Sequence, residues 1–485
     1  MRRWRTLPLV LLLLPLLVAA APGQAAPGRP PPGARVLEVR HLAPGVDYVR
    51  FTLGRPSGAD HWTVSVAFTA GRDAAADVAA RLRAAGFDPR IERVDQRAQD
   101  DPRHGPLGFL VRVGAFTSQA DAQALADELV AAGFADARAD FTGEDGRPTT
   151  GPWVVHVLAI DPVRFHGRVE PVLATGVVPG REPVTRIDAR TGALAGVNGG
   201  YFVIGPEDGT PGDLAGISVV HGDFVSEAVN GRTSLVVPVR AGGRARVAAL
   251  RTSLAASASD GAARLVDGRN RTPGLVRSCG GVGGDIPTER PKHDFTCTDP
   301  AELIQFTPAF GITTEPGPGV EAVLDGSGRV QAVREPRGGA IPPAGSVLAG
   351  TGDGADWLRA HARPGARIRV AVRILADGAP LAARAHLGVV NGGPRLLRHG
   401  GVDIPAYAEG FVWPEDPEFY FRFGVRRNPR TLAGVTRDGR LLLVAVDGHA
   451  PGYSVGASFA ESAALLRALG ATEAVNLDGG GSTTM

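Results

Sequence analysis

Ala474-Val475-Asn476-Leu477-Asp478-Gly479-Gly480-Gly481-Ser482-Thr483-Thr484-Met485 is the stretch from which the rest of the chain is read. Ala474, Val475 and Leu477 describe an apolar strand, and it delivers Asn476 and Asp478 into a triple-glycine loop followed by hydroxyl residues. Side chains two apart on a strand share a face, so Asn476 and Asp478 are expected to project together while Leu477 packs behind them. Gly479, Gly480 and Gly481 carry no Cβ, so their backbone N–H groups can approach a ligand closely. The combination predicts a strand tip that holds an anionic or polyhydroxylated group. Asp-Gly and Gly-Gly pairs are also ordinary turn signals, and spacing alone leaves a plain turn open.

The same device recurs upstream. Ala195-Gly196-Val197-Asn198-Gly199-Gly200-Tyr201-Phe202 presents Asn198 ahead of paired glycines, and the run from His386 ends in Asn391-Gly392-Gly393-Pro394. An amide donates and accepts at once, which suits sugar hydroxyls, so these strand tips are expected to converge on one pocket. For Asn391 the alternative is a hairpin, because Asn-Gly is a strong hairpin signal. Trp153 to Asp161 reads as a buried strand with His156 as a core histidine. Val323 to Val330 reads as a hairpin around Asp325-Gly326, and Leu441 to Val446 as a strand leading to Asp447-Gly448-His449. Ser458 to Leu469 reads as a helix whose capping box is Ser458 with Glu461, so Glu461 is a cap before it is a catalytic carboxylate. Gly209 to Gly354 is turn-rich and shows no clear register.

Residues 60–142 repeat one pattern twice. Trp62-Thr63-Val64-Ser65-Val66-Ala67-Phe68 alternates as a half-buried strand and leads into a helix from Asp73 to Ala85, stopped by Gly86. Phe109 to Phe116 does the same before a helix from Ser118 to Ala132, stopped by Gly133. Strands over Pro89–Val94 and Ala135–Phe141 complete the order βαββαβ. This unit resembles a SPOR domain, a peptidoglycan-binding module of bacterial envelopes, and Val113-Gly114-Ala115-Phe116 is close to that family's hallmark phrase. Ser65 or Arg112 takes the polar position of the phrase. The same order is also a general ferredoxin-like packing unit.

A chain of 485 residues is long enough for two or three domains. Its net charge of +2 and single lysine, Lys292, among 52 basic residues describe an arginine-biased chain. No basic run carries interleaved aromatics, so a nucleic-acid partner is not expected. Arg2, Arg3 and Arg5, the apolar stretch Leu7 to Ala21 and small residues to Ala26 have the order of a secretory signal peptide over residues 1–26. That stretch is short and interrupted by Pro8 and Pro15, so no stable membrane span is expected after cleavage, and the protein is placed outside the cytoplasmic membrane. A Pro/Gly-rich linker with short strands is read over 27–59. Cys279 and Cys297 then lie in an oxidising compartment and are expected to form a disulfide.

Asn476-Leu477-Asp478-Gly479-Gly480-Gly481-Ser482, Asn198-Gly199-Gly200-Tyr201-Phe202, Asn391-Gly392-Gly393-Pro394 and Pro429-Arg430-Thr431 together resemble the motifs of the phosphodiester glycosidase family, in that family's order. The family includes the lysosomal uncovering enzyme, which removes N-acetylglucosamine from a phosphodiester. The resemblance implies a strand-rich α+β glycosidase domain over 151–485, following the small βαββαβ domain. It implies a substrate in which a GlcNAc-like sugar is joined through its anomeric carbon to a phosphodiester of an envelope or extracellular glycan. Cleavage of the sugar C–O bond releases a phosphate monoester, a leaving group with little need of protonation, so the usual strong general acid is less necessary. What the reaction still needs is a cation for the phosphate, a carboxylate for the sugar centre or the water, and polar groups that orient the sugar. Arg430 is expected to take the phosphate with Thr431 and Ser482, since a guanidinium suits two phosphate oxygens. Asp478 is expected to be the carboxylate, with Asp447 and His449 as further candidates for proton transfer. Asn198, Gly199, Gly200, Asn391, Gly392, Asn476, Gly479, Gly480 and Gly481 are expected to bind substrate.

No metal ligand set and no cofactor is expected, because the sequence shows no tight metal-spacing motif. Two other readings stand beside the glycosidase. A metal-dependent phosphodiesterase would cluster carboxylates and histidines and would lose activity to a chelator. A non-catalytic envelope protein would bind glycan without turnover. The family domain normally continues past the triple glycine with further strands, so either the chain is truncated after Met485, the favoured expectation, or those strands are dispensable, and the terminal loop is expected to fray unless something pairs with it.

Overall fold

The computed structural model describes residues 28–279 and 291–485. The signal peptide expected over 1–26 lies outside the described residues. Among the described residues no helix is long and apolar enough to cross a membrane.

The frame is an antiparallel eight-stranded sheet in the order Arg35–Ala43, Val46–Leu53, Trp153–Ile160, Leu441–Val446, Arg430–Thr436, Ala471–Asn476, Arg395–Arg398, Gly401–Val402. Its central strands are buried on both faces, which is why Leu441 to Val446 reads as an unbroken apolar run. One face, carrying Leu158, Leu443, Val475 and Leu477, packs on Leu235, Val237 and Val247 of a second sheet. That sheet also has eight strands, Thr233–Pro238 and Arg246–Ala258 at its centre. The other face, with Val157, Val444 and Leu432, packs under the helix Phe459–Ala468. Ser458 and Glu461 close the expected capping box at the start of that helix. A five-stranded sheet holds the expected hairpin, Val320–Leu324 paired with Val330–Arg334.

The small domain has the expected order, with strands Trp62–Thr69, Pro89–Val94, Gly108–Phe116 and Arg138–Phe141 and helices Arg72–Ala84 and Gln119–Ala131. Its place in the fold is not visible in the sequence. The strands Arg35–Ala43 and Val46–Leu53, read as an appendage of a linker, are the outer strands of the central sheet. Val46–Leu53 pairs with Trp153–Ile160 from Val46↔Ile160 to Leu53↔Trp153. The small domain is therefore an insertion between two neighbouring strands of the larger one.

It is also docked. Val64, Val111 and Val113 face the two helices, whereas Leu107 and Leu110 belong to the core of the larger domain and Phe68 stacks on Phe421 at 5.1 Å. The sheet face away from the helices is thus covered. Ser65 and Arg112, the polar position of the SPOR phrase, are fully buried there. Arg112 Nη1 and Nη2 donate to the Asp145 carboxylate at 2.5 and 2.7 Å, and its Nε donates to Ser65. The segment after the domain is clasped in turn by two consecutive arginines. Arg426 donates to Asp140 and Glu144 at 2.6 and 2.9 Å. Arg427 donates to the carbonyls of Gly143 and Arg147 and to the Glu461 carboxylate.

The expected disulfide is formed, Cys279 to Cys297, with Cα atoms 5.7 Å apart. It staples the strand pair Leu275–Arg277 and Thr296–Thr298, beside His293 of the site described next. Closing a loop over a separation of 18 residues restricts the unfolded chain. The double variant Cys279→Ser/Cys297→Ser is expected to lose about 3 kcal/mol, read from the urea midpoint at unchanged m-value.

Candidate functional site

The Asn-Gly strand tips meet, but their amides are used on the protein itself. Asn391 Oδ1 accepts the Tyr201 N–H at 2.7 Å and its Nδ2 donates to the Tyr201 carbonyl at 3.2 Å, so this side chain copies a strand edge. A Cβ on Gly200 would lie 2.2 Å from the Asn391 carbonyl oxygen, which is why glycine stands there. Asn198 accepts from the Thr431 hydroxyl at 2.5 Å and the Thr484 N–H at 3.0 Å, and donates to the Asp478 carbonyl at 2.9 Å. Asn476 is fully buried, and its Nδ2 donates to the Tyr201 hydroxyl and to the carbonyls of Gly393 and Leu477. The expectation that these amides read a sugar is corrected for Asn198 and Asn391. An amide's paired donor and acceptor also match a backbone edge, and in this fold the backbone takes them. Thr431 is likewise buried and committed to Asn198 rather than open to phosphate.

The terminal loop does not fray. Gly480 N–H donates to the Pro429 carbonyl at 2.9 Å, Asp478 N–H to that of Gly199 at 3.1 Å, and Met485 packs against the core. Gly480–Ser482 forms a single 3-10 turn. Asp478 sits at the mouth of this turn, its Oδ1 accepting the Gly479 N–H at 2.8 Å, with Ser482 hydrogen-bonded to the carboxyl. Burial pushes Asp478 up to about 6, against the opposing pull of Ser482 and the Gly479 N–H, and Asp294 adds to the rise. Tyr201 lies within electrostatic reach of Asp478, and its hydroxyl donates to the Gly393 carbonyl at 2.7 Å.

Arg430 spends two of its donor groups on the protein itself. It is 2% exposed, its Nε donates to the Ala457 carbonyl at 2.9 Å, and another N–H donates to the Phe423 carbonyl at 2.5 Å. The guanidinium lies 4.6 Å over Phe459 and 5.6 Å over Phe423, and burial lowers it to about 10. Two of its donors are thus spent on the aromatic core, while its Cδ stands beside the terminal loop, 3.9 Å from where a Cβ on Gly479 would lie, and its charge also reaches Tyr201. Asp447 and His449 also part company. Asp447 meets His156 Nε2 at 3.2 Å and the Tyr453 hydroxyl at 2.8 Å, and Tyr48 holds the other imidazole nitrogen. Burial works to raise Asp447, but the His156 and Tyr453 hydrogen bonds hold it below the usual carboxylate range. His449 pairs instead with Glu144 at 3.0 Å. Among the described residues no three His, Cys, Asp or Glu side chains gather at metal-ligating spacing.

Residues 318–485 match the phosphodiester glycosidase family, and residues 58–138 match the SPOR domain. The crystal structure of a Burkholderia pseudomallei protein assigned as exported is 36% identical, over 96% of this chain and 94% of that one, with a TM-score of 0.86. Residues 318–485 are a phosphodiester glycosidase-family domain. A protein from Synechocystis shares this fold at 19% identity and a TM-score of 0.53, over 93% of this chain and 76% of that one. The zebrafish N-acetylglucosamine-1-phosphodiester alpha-N-acetylglucosaminidase catalytic domain, auto-inhibited by its pro-peptide, is 16% identical over 70% of this chain and 69% of that one. Its TM-score is 0.31, too loose a superposition to assign any residue. No curated protein matches the chain.

The glycosidase match begins at residue 318, yet the folded domain brings Tyr201 onto the matched Asn476, with the His293 ring against Tyr201 and Arg232 within electrostatic reach of it. Tyr201 stands inside the Asn198-Gly199-Gly200-Tyr201-Phe202 motif, whose local signals are its amide and its glycines. Arg232 and His293 fall in the turn-rich region whose register the sequence leaves open. Only an Asn-Gly pair ahead of Arg232 marks the spot.

Proposed function

We propose that this glycosidase hydrolyses a sugar-1-phosphodiester, GlcNAc-like in its sugar, on envelope or extracellular glycans. The products are free sugar and a phosphate monoester. The observation that carries this reading is Asp478, a carboxyl raised by burial to about 6 at the tip of the triple-glycine loop. At neutral pH it is mainly ionised, and little solvent screens it. In that state it stabilises positive charge at the anomeric carbon or takes a proton from the attacking water. The oxygen of the broken C–O bond stays with phosphorus, and the water oxygen becomes the new anomeric hydroxyl. The Gly479 N–H and Ser482 hold the Asp478 carboxyl in place, which leaves the Gly481 N–H of the same turn to orient the substrate.

The SPOR domain and the exported relative support a place outside the cytoplasmic membrane, where peptidoglycan is the partner of the inserted domain. With its sheet face covered, the domain has its helices and strand edges left to meet glycan strands. The test is to incubate the secreted protein with a sugar-1-phosphodiester and follow phosphorus NMR together with sugar release. Free reducing sugar and phosphate monoester in equal amounts are expected. Intact substrate, or phosphorus–oxygen cleavage leaving a sugar phosphate, would overturn the reading.

A further inference from the structure

Polar atoms without partners among the described residues gather around the Tyr201 ring. Arg232 is 3% exposed, and its Nε donates to the Glu409 carbonyl at 3.1 Å, but Nη1 and Nη2 have no partner. The Glu409 carboxylate accepts from the Thr233 N–H, the Thr233 hydroxyl and the Arg395 N–H, and it acts on Arg232 through charge without a hydrogen bond to Nη1 or Nη2. No carboxylate among the described residues lies within ion-pair distance of Arg232. His293 is buried, its ring centroid 4.2 Å from that of Tyr201, and its Nδ1 also has no partner. Asn476, which donates to the Tyr201 hydroxyl, leaves Oδ1 without one.

These groups share one place. Arg232 lies 4.9 Å over Phe411, and the His293 ring lies 4.6 Å from the same phenyl group. A Cβ on Gly393, whose φ of 121° already demands glycine, would meet Arg232 Cγ and the Glu409 carboxylate at 2.9 Å and Phe411 at 3.0 Å. Arg232 and Asp478 both act electrostatically on the Tyr201 hydroxyl, with opposite sign. A buried guanidinium with two unmet donor groups and no carboxylate hydrogen-bonded to them is unfavourable by itself, and it becomes favourable when an anion fills the position.

We infer that Arg232, flanked by His293 and Tyr201, is the cation that receives the phosphate oxygens, in the role the sequence assigned to Arg430. The inference rests on the sugar-1-phosphodiester reading and deepens it. Two parallel N–H groups of one guanidinium match two oxygens of a tetrahedral phosphate. Burial keeps His293 neutral, well below its ordinary range, so it adds a hydrogen-bonding edge without a second charge. The leaving phosphate gains negative charge as the C–O bond breaks, and Arg232 meets that charge in a water-poor site.

The test uses inorganic phosphate and methyl phosphate on the whole protein, with chloride at equal ionic strength as control. Phosphate is expected to raise the melting temperature of the wild type and to bind in calorimetry. Arg232→Met is expected to weaken both anions about 30-fold, and Arg232→Lys, which keeps charge but loses the paired donors, about tenfold. Without phosphate the melting temperature of Arg232→Met should be equal or higher, since an unpaired buried charge is removed. No phosphate response in the wild type, or an undiminished one in Arg232→Met, would overturn the inference. Arg232-dependent phosphate binding without any sugar release would keep the site and sink the glycosidase reading. Normal diester hydrolysis by Arg232→Met would do the reverse.

Discussion

Asp478→Asn is expected to lower kcat on a sugar-1-phosphodiester by about 10² to 10⁴-fold while making the protein more stable in alkaline buffer. The loss follows from the carboxylate's role, because asparagine can still accept the Gly479 N–H but carries no charge and takes no proton. The gain follows from linkage. Burial raises Asp478 to about 6 in the folded state, above its unfolded value, so the folded protein holds the proton more tightly. Stability therefore falls as pH rises from about 4 to about 6 and stays reduced above that, by up to about 2–3 kcal/mol for a group this buried. Asparagine escapes the cost. Melting curves of the two proteins should nearly coincide at pH 4 and separate by pH 8, with the variant higher. Wild-type turnover should also decline as pH falls through about 6, where the carboxylate takes up its proton. Full turnover in the variant would remove Asp478 from the mechanism, and a variant less stable at pH 8 would show that its charge is not a cost.

Arg426→Met is expected to destabilise the protein by about 3–5 kcal/mol at pH 7. The guanidinium is buried between Asp140 of the inserted domain and Glu144 of the segment that leaves it. Its removal strands both carboxylates. In the wild type burial alone would raise Asp140, but Arg426 first and Arg138 second pull it down to about 2. That depressed value means the Asp140 contribution is present above its unfolded value near 4 and is lost as pH falls towards 2. The deficit of the variant should consequently shrink in acid, where its stranded carboxylates protonate. The triple change Arg426→Met/Asp140→Asn/Glu144→Gln should recover most of the loss, since no charge is left unpaired. A urea midpoint shift worth less than about 1 kcal/mol for Arg426→Met would show that the clasp is solvent-screened rather than buried.

That clasp gives the SPOR insertion a structural part in the larger domain. Arg426 and Arg427 precede Pro429, whose carbonyl holds the Gly480 N–H of the terminal loop. The inserted domain and the triple-glycine tip are thus attached to the same short stretch of backbone. Arg430 continues the stretch into the aromatic core, where the carbonyls of Ala457 and Phe423 and the faces of Phe459 and Phe423 surround it. An arginine spent on core carbonyls positions the strand that carries the site.

Local pattern was enough for the βαββαβ order, the buried Leu441–Val446 strand, the Ser458–Glu461 capping box, the Cys279–Cys297 pair and the glycine tip bearing Asp478. Each is a matter of period, turn chemistry or nearest neighbours, and a short window of sequence contains all the groups involved. What Asn391 does with its amide, which way Arg430 turns, and which face of the inserted domain stays open depend on residues far away in the chain. The pairing of Val46–Leu53 with Trp153–Ile160 decides that the SPOR domain is an insertion, and no turn signal encodes that choice. The same holds for Arg232, His293 and Tyr201, three unremarkable side chains in sequence. Only packing against one another removes water from their donors and acceptors, and only the loss of water makes their unmet hydrogen bonds matter.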